Sequence, residues 1–331
     1  MSTYQNIKGL KVPSIASDPS PATEGQLWYN TASNTLKYTS QAGSWAAGND
    51  LNTRRVDSRA AGTTNALLID CGGLTPASGP TDPGSVHTES YNGTSFTTVN
   101  DMNQPSGYNG FGGTSTAAVS MCCGASPPSG GNTNMDLSET WDGTCWTNAN
   151  DMNTGRQQMA GFGAVYTAAI ATQGNSGGPM GGWTESWDGT CWTNVNDGVV
   201  DTKNLCAQGT QAAGMAIGGF PFLNTTQDWD GTCWTAGTSY NSGRHAMGGT
   251  TQGTPSSALI FGGQGPAPLT LTESYNGTAW TEVNDMATAC YGMGSGGTGN
   301  SNAIAIDANP SPSAGTEIWT FAAATKTVTT S

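Results

Sequence analysis

One phrase is written five times along the chain. TESYNGTSFTTVNDMN starts at Thr88, SETWDGTCWTNANDMN at Ser138, TESWDGTCWTNVND at Thr184, a worn TQDWDGTCWTAG at Thr226 and TESYNGTAWTEVNDM at Thr272. The aromatic before Asn/Asp-Gly marks the repeat at Tyr91, Trp141, Trp187, Trp229 and Tyr275, with a sixth at Trp319 in TEIWTF. Successive markers lie 50, 46, 42, 46 and 44 residues apart. A period of about 40–50 residues is that of a propeller blade, a small four-stranded sheet.

The phrase reads as a hairpin. TESW and TCWTNV alternate side chains at period two, and Asp188-Gly189 between them predicts a two-residue type I′ turn. Asn92-Gly93, Asp142-Gly143, Asp230-Gly231 and Asn276-Gly277 occupy the same place. Because Asn replaces Asp freely and no second ligand accompanies either, the aspartates read as turn formers and not as metal ligands. Before each hairpin lies a small, apolar strand pair such as AAGTTNALLIDCGG from Ala60 or QMAGFGAVYTAAIATQG from Gln158. Gly and Ala suit strands near a crowded central axis, where backbones approach closely. The fold class is therefore all-β: a propeller of six four-stranded blades, with seven as the alternative. The leader and its hairpin are assigned to residues 1–50 and the propeller to 51–331.

Composition supports an ordered chain. Charged residues are 10% of the sequence, yet 11 Trp and 9 Tyr recur at regular places, and this is not the signature of disorder. The net charge of −13 comes from scarce Lys and Arg, so a phosphate backbone is repelled and nucleic-acid binding is not expected. No apolar run of 18 residues is present, so no membrane insertion by a helix is expected. MSTYQNIKGLKVPSIASDPSPATEGQ lacks the apolar stretch of a secretory signal, and synthesis in a cytoplasm is expected. Accordingly NGT at Asn92 and Asn276 reads as a turn and not as a glycosylation sequon.

Of eight cysteines, Cys145, Cys191 and Cys233 fill one repeat position that Ser95 and Ala279 fill elsewhere. That position selects a small side chain, and a buried thiol is expected there. Cys122 and Cys123 read as strand filler, and no CxxC occurs.

A strand ending in Gly-Gly (Gly72-Gly73, Gly218-Gly219, Gly262-Gly263), then Glu-x-Tyr/Trp, then a Trp about five residues on, resembles the kelch repeat. The resemblance spans residues 52 to 321, with Gly-Gly degraded in the second and third units and absent from the sixth. KVPSIASDPSPATEGQLWYNTASNTLKYTSQAGSW resembles the leader of tail-associated proteins of tailed bacteriophages, in which GxxWYNT and a Leu-Lys-Tyr hairpin recur. Leader and ESYNGTSW-like phrases together resemble virion structural proteins of marine phages, especially those infecting cyanobacteria. From the residues themselves, Gly25 to Tyr38 is a hairpin turning at TASN. LKYTSQAGSWAAGNDLNT from Leu36 parallels ESYNGTSFTTVNDMNQ, so it either anchors the propeller to another protein or pairs with the last blade to close the ring.

Some kelch propellers are copper oxidases, but such a site needs converging imidazoles, and His87 and His245 fall in different parts of their units. No catalytic residue, metal or cofactor is assigned. Glu89, Glu139, Glu185, Glu273 and Glu317 recur once per blade, with Gln227 in the fourth. Spread around a wheel, they read as hydrogen-bond acceptors for backbone or Arg and not as paired acids for glycoside hydrolysis. Trp146, Trp192, Trp234 and Trp280, with Phe96, read as blade-to-blade packing. Trp183, outside the phrase in GNSGGPMGGW, is the binding candidate, as a sugar contact or a cover for a blade edge.

The resemblance implies a non-enzymatic virion protein, made in the host cytoplasm and carried in multiple copies on a tail or tail fibre. Its N-terminal segment would hold other virion proteins. Its unequal loops, 74–86, 125–136 and 173–183, would contact a host surface glycan or protein. The alternative is a decoration or cement protein without host recognition, and a polysaccharide-degrading enzyme comes last. Function is to be sought where the phrase is interrupted.

Overall fold

In each phrase the two aromatics face each other directly across an antiparallel pair: Trp141 with Trp146, Trp187 with Trp192, Trp229 with Trp234, Tyr275 with Trp280, Tyr91 with Phe96. Their ring centroids lie 4.5–5.5 Å apart, the offset geometry that aromatic pairs prefer. Four residues separate the partners, so the two-residue type I′ reading is corrected. In the Asp188 copy the carboxylate Oδ1 accepts the backbone N–H of Thr190 at 2.8 Å and of Cys191 at 2.7 Å. Only the glycine takes a positive φ, +92° at Gly189, whereas type I′ requires it of both residues. The side chain thus does the turning that a two-residue loop would leave to the backbone.

The computed structural model describes residues 12–19, 26–70, 72, 85–107, 109–123, 136–306, 310 and 314–328. By contact the chain divides into Trp45–Thr320 and a smaller unit of Met1–Ser44 with Phe321–Ser331.

The larger unit is a β-propeller of six blades. Blade 1 consists of Arg59–Thr63, Ala66–Asp70, Glu89–Tyr91 and Phe96–Thr98, paired antiparallel in that order. The innermost strands of blades 2 to 6 are Gly110–Thr114, Ala160–Val165, Cys206–Thr210, Gly248–Gly249 and Gly294–Gly299. Each packs against the next, and Gly294–Gly299 packs back on Arg59–Thr63, which closes the ring. Glycine is needed for this approach: a Cβ on Gly161 would stand 2.7 Å from Phe111 N and from Met121 Sδ. The outermost strand of blade 6 comes from the other end of the chain, since Thr35–Ala47 pairs with Thr316–Thr327. LKYTSQAGSW thus pairs with the last blade, as one of its two expected roles requires.

Between blades the core is apolar, with clusters such as Leu68, Phe111, Trp141 and Trp146 between blades 1 and 2. Around the axis runs a girdle of backbone hydrogen bonds. Asp57 N donates to Gly292 O, Gly292 N to Ala246 O, Ala246 N to Asn204 O, and Asn204 N to Gln158 O, at 2.7–2.8 Å. These five residues are equivalent, one per blade, and all have φ between +50° and +63°. The sixth equivalent, Tyr108, lies outside the described residues.

In the smaller unit, Leu27–Asn30 pairs antiparallel with the start of Thr35–Ala47, and Ser14–Ile15 runs parallel beside it. The turn falls in TASN as the sequence predicts, with Asn30 Oδ1 accepting from Ala32 N and Ser33 N and Asn34 at φ +55°. Asp18 accepts from Trp28 Nε1, Asn30 Nδ2 and Lys37 Nζ, and these bonds hold its carboxyl below the usual range, Lys37 most of all.

Candidate functional site

The polar residues of the phrase are engaged at the seams between blades. Glu185 is buried; its Oε2 accepts from Asn153 N and Nδ2, and its Oε1 from Thr154 N and from Arg156 Nη1 at 2.6 Å. Asn153 and Arg156 belong to the connection that enters the blade. Glu89 and Glu273 repeat the arrangement with Asn52 and Arg55, and with Asn241 and Arg244. The expectation that each Glu serves backbone or Arg therefore holds at these sites, and Gln227 Oε1 accepts from Val200 N likewise. What the sequence reading missed is the alternation: the arginine position holds Arg55, Arg156 and Arg244 in odd blades and Ser106, Thr202 and Cys290 in even ones. The signal was present, three residues after Asn52, Asn153 and Asn241.

The second aromatic of the phrase joins neighbours as expected. Trp146 Nε1 donates to Thr88 Oγ1, Trp192 to Ser138 Oγ and Trp234 to Thr184 Oγ1, each at 3.0–3.1 Å and each in the preceding blade. Trp280 uses Thr238 O instead. The buried-thiol reading of Cys145, Cys191 and Cys233 is corrected: the first two are exposed and the third is half-buried. The position is small because it closes the Asx turn and receives an Asn from the preceding blade, as when Asn100 Nδ2 donates to Thr144 O at 2.8 Å.

Since successive strands alternate in direction, the connections that enter blades and those between second and third strands share one face. Loops 74–84 and 125–135 lie outside the described residues. In the 173–183 loop Trp183 is half-buried, its carbonyl accepts from Gln173 N at 2.7 Å, and its ring lies over Gly181. His87 is on this face, half-buried and 3.3 Å from Asp101. It and His245 belong to separate clusters, and no group of three or more His, Cys, Asp or Glu among the described residues is arranged to hold a metal.

The phrase is most worn around blade 4. There Gly198, Val199, Thr202 and Gln227 stand where blade 3 carries Met152, Asn153, Arg156 and Glu185, and Val199 is left 55% exposed. On the same face the loop Gly219–Leu223 presents Phe220 and Phe222, 39% and 46% exposed. Both rings lie 5.5 Å from the imidazole of His245, and Lys203 Nζ stands 5.3 Å from the Phe220 centroid. Burial, the larger influence, and Lys203 hold His245 below its usual pKa, against a bond to the Pro221 carbonyl.

This loop is fixed in place. Phe220 N donates to Lys203 O, Thr202 Oγ1 to Phe220 O, Leu223 N to Gly219 O and Gly219 N to Arg244 O. Buried Tyr240 donates its hydroxyl to Leu223 O at 2.6 Å, and desolvation raises its pKa. The rings are held outward by these bonds, so the fold has already met the cost of ordering them. The sequence reading missed Phe220 and Phe222, although the interruption GFPFL was visible where the phrase is most worn.

On the axis the inner strands enclose a cavity of about 50 Å³, lined by Arg59, Phe111, Leu205, Cys206, Met247 and Met293 among others, which is room for a few waters at most. Burial pushes the Cys206 thiol up to about 12, so it is inert at neutral pH. At the other end of the axis Gln252, from the long turn of blade 5, donates to Gly113 O at 2.7 Å and Gly163 O at 3.4 Å, bridging to blades 2 and 3. No family model and no curated protein matches the chain.

Proposed function

We propose that this chain is a non-enzymatic structural protein of a phage virion, tail or tail-fibre associated, whose propeller contributes to attachment to a host surface. The observation that carries the reading is the rigid aromatic loop of blade 4. Phe220 and Phe222 stand exposed on the loop face while the repeated polar residues are held in the seams. The acids that recur once per blade already accept hydrogen bonds from their own seams, which supports a scaffold role and not general acid–base work. The leader, with GxxWYNT, supports attachment to other virion proteins, and multiple copies would multiply weak contacts.

The test is binding of the purified full chain to host cells and to their surface polysaccharide. Saturable binding, lost in a Phe220→Ala/Phe222→Ala variant that melts like the parent, is the expected result. Absence of saturable binding favours a decoration or cement protein, and cleavage of the polysaccharide favours an enzyme; either overturns the proposal.

A further inference from the structure

The five phrase turns are one geometry built with two residues. Oδ1 of Asp142, Asp188 and Asp230 accepts the two backbone N–H groups that follow the glycine, at 2.7–2.8 Å. Asn92 Oδ1 accepts from Thr94 N and Ser95 N at 2.9 and 2.8 Å, and Asn276 Oδ1 from Thr278 N and Ala279 N at 3.0 and 2.9 Å. The glycines match as well, with φ of +89° at Gly93 and +90° at Gly277 against +92° to +95° in the Asp copies. Asn92 and Asn276 are exposed, and among the described residues the N–H groups of Gly93 and Gly277 have no hydrogen-bond partner.

We infer that Asn92 and Asn276 are sites of spontaneous deamidation, which the turn promotes and directs to aspartate. The peptide nitrogen of Gly93, losing its proton to hydroxide, attacks Asn92 Cγ. Negative charge develops on Oδ1, where the N–H groups of Thr94 and Ser95 already point, the arrangement of an oxyanion hole. The Cγ–Nδ2 bond breaks, ammonia departs with a proton from water, and a succinimide remains. Water then opens the ring, so the net change is asparagine plus water to aspartate plus ammonia.

Opening at Cγ restores the backbone and places a carboxylate where three sister turns hold one. Opening at the main-chain carbonyl gives isoaspartate, which lengthens the backbone by one carbon inside a four-residue loop. That loop joins Tyr91 to Phe96, whose centroids are 4.5 Å apart, so isoaspartate unseats the pair. The fold therefore favours aspartate.

The chain carries its own control. Asn109-Gly110 is the same dipeptide, but Asn109 is fully buried and its Nδ2 donates to Asp70 Oδ2 and Ser120 Oγ, both at 2.7 Å. The leaving group is held by two acceptors and is shielded from water.

The test is peptide mapping by mass spectrometry of the folded full chain during incubation at mildly alkaline pH, beside the chain unfolded in denaturant. In the folded chain Asn92 and Asn276 convert about a hundredfold or more faster than Asn109, the effect of one aligned donor, and aspartate is the major product. In denaturant the three convert at similar rates with more isoaspartate. Equal rates at the three sites in the folded chain, protection of Asn92 and Asn276 by folding, or isoaspartate as the major folded product each overturns the inference. An Asn92→Asp/Asn276→Asp variant is expected to melt within the parent's error; a lowered midpoint shows that these turns do not accept the product and also overturns it.

Discussion

Trp45 donates its indole N–H to Thr272 Oγ1 at 3.0 Å across 227 positions of sequence. This is the bond that Trp146, Trp192 and Trp234 make to their preceding blades, so Trp45 serves as the outer tryptophan of blade 6. Its ring centroid lies 4.8 Å from Phe261 in blade 5 and 5.5 Å from Trp319 in blade 6. The seam into blade 1 differs, since Phe96 has no donor. There Thr316 Oγ1 turns to Asn49 O at 2.9 Å. Trp45→Phe, which keeps the packing and removes the donor, should lower stability by about 1 kcal/mol, and Trp45→Ala by about 3 kcal/mol. Denaturant melts of the two variants read the difference.

The alternating arginines make the seam glutamates unequal. Glu185→Gln leaves the buried Arg156 guanidinium without its anion and should cost about 3–5 kcal/mol. Glu139→Gln should cost about 1 kcal/mol, because Ser106 holds the arginine position there and Gln227 already fills the glutamate position in blade 4. A common loss at both positions in chemical denaturation would contradict this.

Asp142, Asp188 and Asp230 are held below the ordinary aspartate value of 3.8, chiefly by the backbone N–H of the cysteine that closes each turn. A carboxyl with a depressed folded pKa stabilises the fold above its unfolded value, and that contribution is lost as pH falls through the folded value. Titration by carboxyl-detected NMR should place all three below 3.8. Asp188→Asn should keep the turn, as Asn92 does, and remove its share of the acid sensitivity.

His245 is held below its ordinary value of 6.5, first by burial. The unfolded chain therefore takes up the proton first. The contribution of the neutral ring is complete above 6.5 and is lost as pH falls through the folded value. Proton NMR should show the imidazole neutral at pH 7. A charged His245 beside Lys203 also places a second cation against the Phe220 and Phe222 rings, so saturable binding in the proposed host-cell assay should fall over the same interval.

Gln252→Ala removes the bonds to Gly113 O and Gly163 O and should lower stability by about 1–2 kcal/mol. Hydrogen exchange should rise first in residues 250–257, the turn that Gln252 carries. Unchanged exchange there would show that Gln208, which bonds Thr254 O and Ser257 O, holds the turn alone.

Blade number, the order of strands within a blade and the packing role of the tryptophans were legible because the phrase repeats with fixed spacing, and a repeat that buries its aromatics against a copy of itself has few other solutions. Period-two alternation identified the hairpins but not their loop length. Whether Asp-Gly turns in two residues or four depends on where the Asp side chain finds donors, and those belong to the loop itself. The cysteine position was read as buried because small residues are common in cores. Its smallness in fact answers to an Asn from a neighbouring blade, a partner about 45 residues away.

The sequence by itself determined the wheel, since local alternation and a long period are both properties of one strand and its copies. Only the tertiary structure decided how the wheel is held shut. Trp45 with Thr272, Arg156 with Glu185 and Gln252 with Gly113 each join residues that no local pattern relates. It also decided what is left outside, because exposure at Phe220 and Phe222 follows from two connections, those entering blades 4 and 5, converging on one face and fixing the loop between them. Closure and exposure are sums over distant parts of the chain, and a repeat specifies each part without specifying the sum.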